Sequence, residues 1–138
     1  MKFLENYQEI SYFGKHKTFT DENGTRCATD IAEYYEHTIR NIVTQAFERA
    51  TQRSNRLTSL DANVLNTSRL WRNIVNEVAK DYPSVTVNHM YIDNCAMQMV
   101  LNPSQFDIMV MANIFEDIIS DLACIARLNW ASTPDKLK

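Results

Sequence analysis

Residues 107–123 hold the sequence feature that most constrains how this chain can fold. The first five of them, DIMVM, form an apolar run that predicts a short buried β-strand. Apolar residues then recur at helical spacing, as Ile114, Phe115, Ile118, Ile119 and Leu122. A buried strand that leads into an amphipathic helix is a unit of an α/β fold, in which helices cover a sheet.

Strand and helix patterns alternate along the rest of the chain. An extended segment over residues 3–13 is followed by polar residues 14–29, where the turn signal DENGT predicts a hairpin or an arm. The helices are predicted at residues 31–53, with Asp30 as N-cap, and at 65–82, 94–101 and 114–128. The strands are predicted at residues 56–60, 84–92 and 107–111. We therefore expect one α/β domain over residues 1–138, a small sheet with packed helices and a frayed tail at 129–138.

The composition excludes several classes of function. The 138 residues are 45% apolar and 22% charged, which is ordinary for one globular domain with a core. The net charge is −3 without a basic tract, so nucleic acid and anionic membranes are not expected partners. No apolar run approaches the roughly 20 residues that span a bilayer, and the start lacks the apolar region of a secretory signal. Three well-separated cysteines lack zinc-site spacing and indicate reduced thiols in the cytoplasm.

Glycine is scarce, since only Gly14 and Gly24 occur. Average usage is about 7%, and α/β domains need glycine at helix ends and tight turns. Replacing a glycine reduces the number of conformations open to the unfolded chain and so makes the backbone stiffer. The scarcity of glycine therefore favours an engineered or rebuilt domain. An unusual natural relative would explain the composition equally well.

Asp117 and Asp121 form a carboxylate pair on the last predicted helix, four residues apart and therefore on one helical face. Hard divalent cations such as Mg²⁺ take oxygen ligands of this kind, together with water and substrate. The pair by itself is a weak signal, because it more often marks a solvated helix edge. Asp93 stands where a strand ends and a helix begins, and a structural N-cap is the ordinary explanation for it.

Other candidate residues have ordinary structural explanations. The three histidines share no spacing and are expected to be surface or hydrogen-bonded residues, namely His16, His37 and His89. Four methionines are expected to fill the core rather than to form a binding surface, namely Met97, Met99, Met109 and Met111.

Two longer stretches resemble a known family in the order and spacing of their residues. They are residues 58–98 (TSLDANVLNTSRLWRNIVNEVAKDYPSVTVNHMYIDNCAMQ) and residues 102–123 (NPSQFDIMVMANIFEDIISDLA). Both resemble the 3-isopropylmalate dehydrogenases, which with the isocitrate enzymes are metal-dependent decarboxylating dehydrogenases. The resemblance begins around residue 11, ends at residue 123 and covers only the family's second, dimerisation domain. The first domain, with most of the nicotinamide-nucleotide site, has no counterpart in it.

The resemblance implies a metal site and a catalytic tyrosine. In the family, two aspartates of one subunit and a third from its partner hold the metal, and these match Asp117, Asp121 and, across the dimer, Asp93. The family tyrosine that protonates the enol after decarboxylation matches Tyr12. The family lysine that acts at the substrate hydroxyl has no match, because Asp61 is followed directly by Ala62.

Three further departures from the family pattern agree with the loss of that lysine. Glu5 replaces an arginine that clamps the substrate carboxylate, Glu9 and Ile10 replace a Gly-Gly pair, and Glu116 replaces the glycine before the first metal aspartate. An anionic substrate would meet repulsion where it needs a bidentate guanidinium. We therefore expect a non-catalytic domain that requires no cofactor and binds Mg²⁺ or Mn²⁺ weakly or not at all. Tyr12 is then an ordinary strand tyrosine.

If the chain is not catalytic, the function that the resemblance still implies is dimerisation. In the family two helices of each subunit form a four-helix bundle, and we expect a homodimer through residues 65–82 and 114–128, with an arm from residues 14–29. The expected bundle surface comprises Leu70, Trp71, Ile74, Val78, Ile118, Ile119, Leu122 and Ile125. Two alternatives stay open. One is half of an NAD-dependent dehydrogenase of leucine biosynthesis that needs a complementary domain, and the other is a metal-binding module built on the three aspartates.

Overall fold

The structure is a computed structural model that describes the backbone of residues 2–6 and 15–131 and the side chains of residues 15–126. In that part of the chain the strands are β1 (Lys2–Asn6), β2 (His16–Thr20), β3 (Arg26–Asp30), β4 (Arg56–Asp61), β5 (Thr86–Tyr91) and β6 (Ile108–Ala112). The helices are α1 (Glu36–Thr51), α2 (Asn66–Ala79), α3 (Ile92–Leu101) and α4 (Asn113–Ala131), with one 3-10 turn at Pro103–Gln105. None of these helices is long and apolar enough to cross a membrane. The predicted α/β class is confirmed.

Four strands form a parallel sheet in the order β1-β6-β4-β5. The inner strands β4 and β6 are buried along nearly their whole length, and only Arg56 at the start of β4 is exposed. Parallel strands of this kind are covered by helices on both faces, which is why β6 consists of a continuous apolar run. The prediction of a buried strand from DIMVM is confirmed.

Alternate residues of the inner strands supply two separate cores. Ile108 and Val110 of β6 pack with α1 and α2, whereas Met109 and Met111 pack with α3 and α4. Because successive side chains of a strand point to opposite faces, the sheet lies between two helical layers. Helices α1 and α2 form one layer, and α3 and α4 form the other.

The apolar side chains of α2 are buried against the sheet of the same chain. Trp71, Ile74 and Val78 are buried, and the indole Nε1 of Trp71 donates a hydrogen bond to Ser59 Oγ at 3.1 Å. Leu70 is half-buried against the same core. The expectation that residues 65–82 present a stripe to a partner is therefore corrected, since the sheet of the same chain already covers these side chains.

The second core is rich in methionine. Met99, Met109 and Met111 are fully buried, so the prediction that they fill the core is confirmed. Met97 is 54% exposed, and its prediction as a core residue is wrong because it lies on the outer face of α3. Residues of one short helix thus divide between a buried face and an exposed apolar face.

Strands β2 and β3 form an antiparallel hairpin apart from the main sheet, which confirms the predicted hairpin. In its turn, Asp21 Oδ1 accepts the backbone N–H groups of Asn23 and Thr25 at 2.9 and 2.8 Å, and Gly24 adopts φ +77°. Asp30 is the last residue of β3, so it does not cap α1 as predicted. Helix α1 begins at Glu36 because the hairpin continues through Asp30, and Tyr35 holds the cap position.

A buried carboxylate ties the end of α1 to the start of β6. Arg53 Nε and Nη2 donate to Asp107 Oδ1 at 2.8 and 2.7 Å, and the hydroxyl of Ser54 donates to Asp107 Oδ2. Arg53 holds the pKa of Asp107 down to about 2, against the opposing effect of burial and with help from Ser54. A carboxyl whose pKa is lower in the folded than in the unfolded chain stabilises the fold only while it is ionised.

We expect part of the stability to be lost in acid through Asp107. The unfolded carboxyl has a pKa of about 3.9, so its contribution is complete above that pH and is lost as the pH falls towards 2. Asp107→Asn should flatten the free energy of unfolding between pH 4 and 2.5, as measured by urea denaturation. The exposed Asp81→Asn variant is the matched control and should keep the wild-type slope. An Asp107→Asn variant with that same slope would contradict the assignment.

Candidate functional site

The carboxyl ends of three neighbouring strands meet at one edge of the sheet. β4 ends at Asp61, β5 at Tyr91 and β6 at Ala112, and the helices α2, α3 and α4 start just beyond them. In open parallel sheets this edge is where ligands bind. It also carries the positions at which the sequence predicts a metal site, so it is the candidate functional site.

A buried ion pair holds this edge together. The side chain of Asp61 is 2% exposed, and its Oδ2 accepts Arg72 Nε and Nη2 at 2.9 and 2.8 Å. Its Oδ1 accepts the backbone N–H of Asn63 at 2.9 Å. The guanidinium of Arg72 lies 5.0 Å from the ring centroid of Tyr91, in cation–π contact. One arginine of α2 thus links the ends of β4 and β5.

The loop from β4 to α2 carries no ammonium group. It runs from Asp61 directly to Ala62, whose N–H donates to Ser68 Oγ at 3.0 Å. Asn63 adopts φ 60°, a left-handed conformation that asparagine tolerates better than most residues. Val64 follows and is 74% exposed. The loop therefore presents an amide and an apolar side chain to solvent where the resemblance leads one to expect a lysine.

The three predicted metal ligands lie on two different helices of the chain. Asp93 is exposed in the first turn of α3, inside the helix rather than at its N-cap as predicted, because Tyr91 holds that position. Asp117 and Asp121 are exposed on α4, one turn apart. Among the described residues of a single chain, no three acidic, histidine or cysteine side chains are grouped so that they could hold a metal ion. The two carboxylates of α4 have the chemistry that Mg²⁺ or Mn²⁺ prefers, and a third ligand from a second chain stays a prediction.

The other predicted site residues divide between described and undescribed parts of the chain. Tyr12, Glu9 and Ile10 lie outside the described residues. Glu5 lies in β1, in register with Met111 of β6. Glu116 is half-buried in the first turn of α4, immediately before Asp117. The structure thus places two acidic residues, Glu116 and Asp117, side by side at the start of α4.

His89 was expected to be an ordinary surface or hydrogen-bonded residue, and the structure gives it a more unusual environment. Its Nε2 lies 2.8 Å from Asn76 Oδ1 of α2, while Nδ1 is buried without a partner. Burial lowers the pKa of His89, Arg72 lowers it further, and Asp61 opposes them. The alternation Val87, His89, Tyr91 places all three on the face towards α2, which is the sequence signal that could have identified this cluster.

The outer faces of α3 and α4 expose large apolar side chains. These residues are between 40% and 64% exposed, and they are Met97, Val100, Leu101, Ile114, Ile118 and Ile125. The two helices pack against each other on the same side of the sheet. Ile119, which was expected on the same surface as Ile118, is instead fully buried and Leu122 partly so, because they face the sheet. The apolar surface available to a partner therefore belongs to α3 and α4.

Removing either member of the Asp61–Arg72 pair should destabilise the fold to different extents. Arg72→Met leaves a carboxylate buried with one backbone donor, and we expect it to lower the free energy of unfolding by about 3 kcal/mol. Asp61→Asn leaves an arginine that is 33% exposed and can reach water, so its cost should be nearer about 1 kcal/mol. Urea denaturation of both variants at pH 7 tests the order. Equal small losses would show that the pair does not hold this edge.

Comparisons with known proteins identify the family. The family described as Isocitrate/isopropylmalate dehydrogenase matches residues 4–127. The chain is 53% identical over 113 residues to the 3-isopropylmalate dehydrogenase of Desulfitobacterium hafniense and 50% identical over 113 residues to that of Aquifex aeolicus. Each alignment covers 81% of this chain and 31% of the relative. The chain therefore spans about a third of the length of these curated relatives.

Solved structures agree with the sequence comparison. The crystal structure of isocitrate dehydrogenase from Methylococcus capsulatus matches 88% of this chain with a TM-score of 0.80 and 33% identity, over 37% of its own length. The TT0538 protein from Thermus thermophilus matches 83% of the chain with a TM-score of 0.74 and 26% identity, over 23% of its length. The fold and the sequence thus lead to one conclusion, namely that this chain belongs to the isocitrate/isopropylmalate dehydrogenase family.

Proposed function

We propose that this chain is a homodimerisation domain of its family and that it does not itself catalyse oxidation. The observation that carries the proposal is the exposed apolar surface on α3 and α4. Monomeric soluble proteins rarely leave a large apolar patch uncovered, and such a patch marks an interaction site. Free Cys27, Cys95 and Cys124 fit a reducing compartment such as the cytoplasm, which we propose as its location.

A second copy of the chain is the partner that this surface fits. A two-fold axis beside α3 and α4 would bring each helix pair against its own copy, so that apolar side chains meet apolar side chains. Four helices would then pack as a bundle between two sheets. The acidic residues of α4, Asp117 and Asp121, would lie towards the rim, where carboxylates can stay hydrated. This arrangement replaces the one expected from residues 65–82.

The proposal that the chain is not catalytic rests on its side chains. The loop from β4 to α2 lacks a lysine, and Asp61 beside the gap is already bonded to Arg72. By the family resemblance, Glu5 takes the place of an arginine that binds the substrate carboxylate, so an anionic substrate would be repelled there. The loss of one general acid or base typically costs about 10² to 10⁴ in rate.

A metal is not required for the proposed function, but the site residues still include its ligands. Asp117 and Asp121 of one subunit, with Asp93 of a second copy, would hold Mg²⁺ or Mn²⁺ weakly. A bound divalent cation would polarise a hydroxyl or carbonyl oxygen of a ligand. Glu116 immediately precedes Asp117 and adds a further carboxylate to this part of α4.

A second candidate function is part of an NAD-dependent 3-isopropylmalate dehydrogenase of leucine biosynthesis. It is favoured by the 53% identity to such an enzyme and by the retention of Asp117 and Asp121. In that case the chain would work together with a complementary cofactor domain. Sustained NADH formation from 3-isopropylmalate and Mn²⁺, after the chain is mixed with the cofactor domain of a relative, would favour it over our proposal.

We expect the protein to be a dimer, and a single charged substitution on the outer face of α3 or α4 should dissociate it. Light scattering of the wild type should give twice the chain mass of 16.0 kDa. Val100→Asp or Ile118→Asp would bury an unpaired carboxylate in the interface, which costs about 3 kcal/mol or more and raises the dissociation constant about a hundredfold. Both variants should run as folded monomers at micromolar concentration.

The matched control for these variants is Gln45→Asp. Gln45 is exposed on α1, in the opposite helical layer, so the same added charge should leave the dimer intact. A wild-type monomer over the whole concentration range would contradict the proposal. So would a dimer that Val100→Asp and Ile118→Asp leave unchanged.

We expect metal binding to depend on dimerisation. Calorimetric titration with Mn²⁺ should give weak heats for the wild type and none for Asp117→Asn. The monomeric Ile118→Asp variant should also give none, because Asp93 of the second copy would be missing. Asp81→Asn on the surface beyond α2 is the control and should bind as the wild type does. Identical heats from Asp117→Asn and the wild type would rule out the aspartate site.

A further inference from the structure

The imidazole of His89 lies between the edge strand β5 and α2 with its two nitrogens in unequal surroundings. Nε2 is 2.8 Å from Asn76 Oδ1 near the surface, and Nδ1 points inward. Among the side chains that the structure describes, Nδ1 of His89 is the buried polar atom that lacks a hydrogen-bond partner. Buried polar atoms are nearly always paired, so this exception calls for a physical reason.

Only the neutral imidazole suits this environment. With the proton on Nε2, the ring donates to Asn76 Oδ1, and Nδ1 is a bare lone pair that needs no acceptor. The imidazolium would carry a second N–H at Nδ1, buried and without an acceptor. Its positive charge would also lie in the field of Arg72, since that guanidinium already acts against protonation of the ring.

The charged and titratable groups around His89 come from three elements. Arg72 and the neutral Asn76 come from α2, Asp61 comes from β4, and Tyr91 follows on β5 beneath the guanidinium. Asp61 favours the protonated ring, but both hydrogen bonds of Arg72 are directed at that carboxylate and offset its charge. Burial and Arg72 together outweigh Asp61, so the pKa of His89 lies below its ordinary value.

We propose that His89 is an acid-sensitive latch between α2 and the carboxyl edge of the sheet. Protonation would leave the Nε2–H bond to Asn76 Oδ1 in place but would add an N–H at buried Nδ1 with no acceptor, so the ring would have to move out from between β5 and α2. Because Arg72 lies one turn away on the same helix and holds both Asp61 and Tyr91, the loosening would spread to the loop at residues 61–65 and to the start of α3. The latch would thus couple mild acid to the part of the chain that carries Asp93.

The sign of the pH effect follows from linkage. Below the unfolded histidine pKa of about 6.5 the unfolded chain takes up a proton that the folded chain does not, so stability falls as the pH drops from there towards the lower folded pKa. Local opening should follow the same course, because the protonated ring fits only the opened edge. Carboxylates such as Asp107 act at lower pH and are separable from this effect.

Amide hydrogen exchange of the metal-free protein, corrected for intrinsic rates, tests the latch. When the pH is lowered from 7.5 to 5.0, the protection factors of the wild-type amides at residues 61–65 and 86–92 should fall about tenfold relative to those of β6. His89→Gln keeps a hydrogen-bonding amide but cannot titrate, so it should lose none. His37 is exposed in the first turn of α1, so His37→Gln is the matched control and should behave as the wild type does. An equal loss in His89→Gln would overturn the proposal.

A direct titration keeps the proposal testable if His89→Gln fails to fold. The imidazole proton resonances of wild-type His89, followed by NMR from pH 8 to 4.5, should move with a midpoint clearly below about 6.5. A midpoint for His89 at or above that value would overturn the latch, because the folded protein would then accept the proton without strain.

Discussion

The structure depends on a parallel sheet that is buried on both faces. β6 has five consecutive buried residues, and its alternate side chains enter two cores that do not mix. Because the side chains of β6 are apolar on both faces, each face must be covered, and helices of the chain pack on both. α1 and α2 cover one face completely. α3 and α4 cover the other face with their inner sides and keep apolar residues on their outer sides, which is the physical origin of the proposed interface.

Burial of polar groups at the carboxyl edge of the sheet adds a second constraint. Asp61 is satisfied by Arg72, Ser59 by Trp71, and the N–H of Ala62 by Ser68. Two of these pairs join α2 to β4 and the third joins α2 to the loop that precedes it, so α2 is positioned by polar contacts as well as by its apolar stripe. His89 is the exception in this region, since its Nδ1 is buried without a partner and burial lowers the pKa of the ring.

Beside the carboxyl edge of the sheet, this chain has acidic residues on α4 and a loop from β4 to α2 that lacks a lysine. Asp117 and Asp121 are exposed on α4, and the loop contains Asp61, Ala62, Asn63 and apolar neighbours. Under the proposed function, the absence of a general acid or base from this loop lowers the rate of proton transfer, while the carboxylates of α4 can still attract a cation.

The sequence alone determined the α/β class, the buried strand at β6, the hairpin and the family, because each depends on local periodicity or on residue order. It also indicated that the family lysine has no match, because Asp61 is followed directly by Ala62. Only the tertiary structure decided which apolar side chains the sheet covers, because Trp71 and Ile118 both lie in amphipathic helices and no local pattern says that the first is buried and the second exposed. It also decided the environment of His89, since Asn76, Arg72 and Asp61 come from other elements and meet the ring only when α2 packs on β4 and β5.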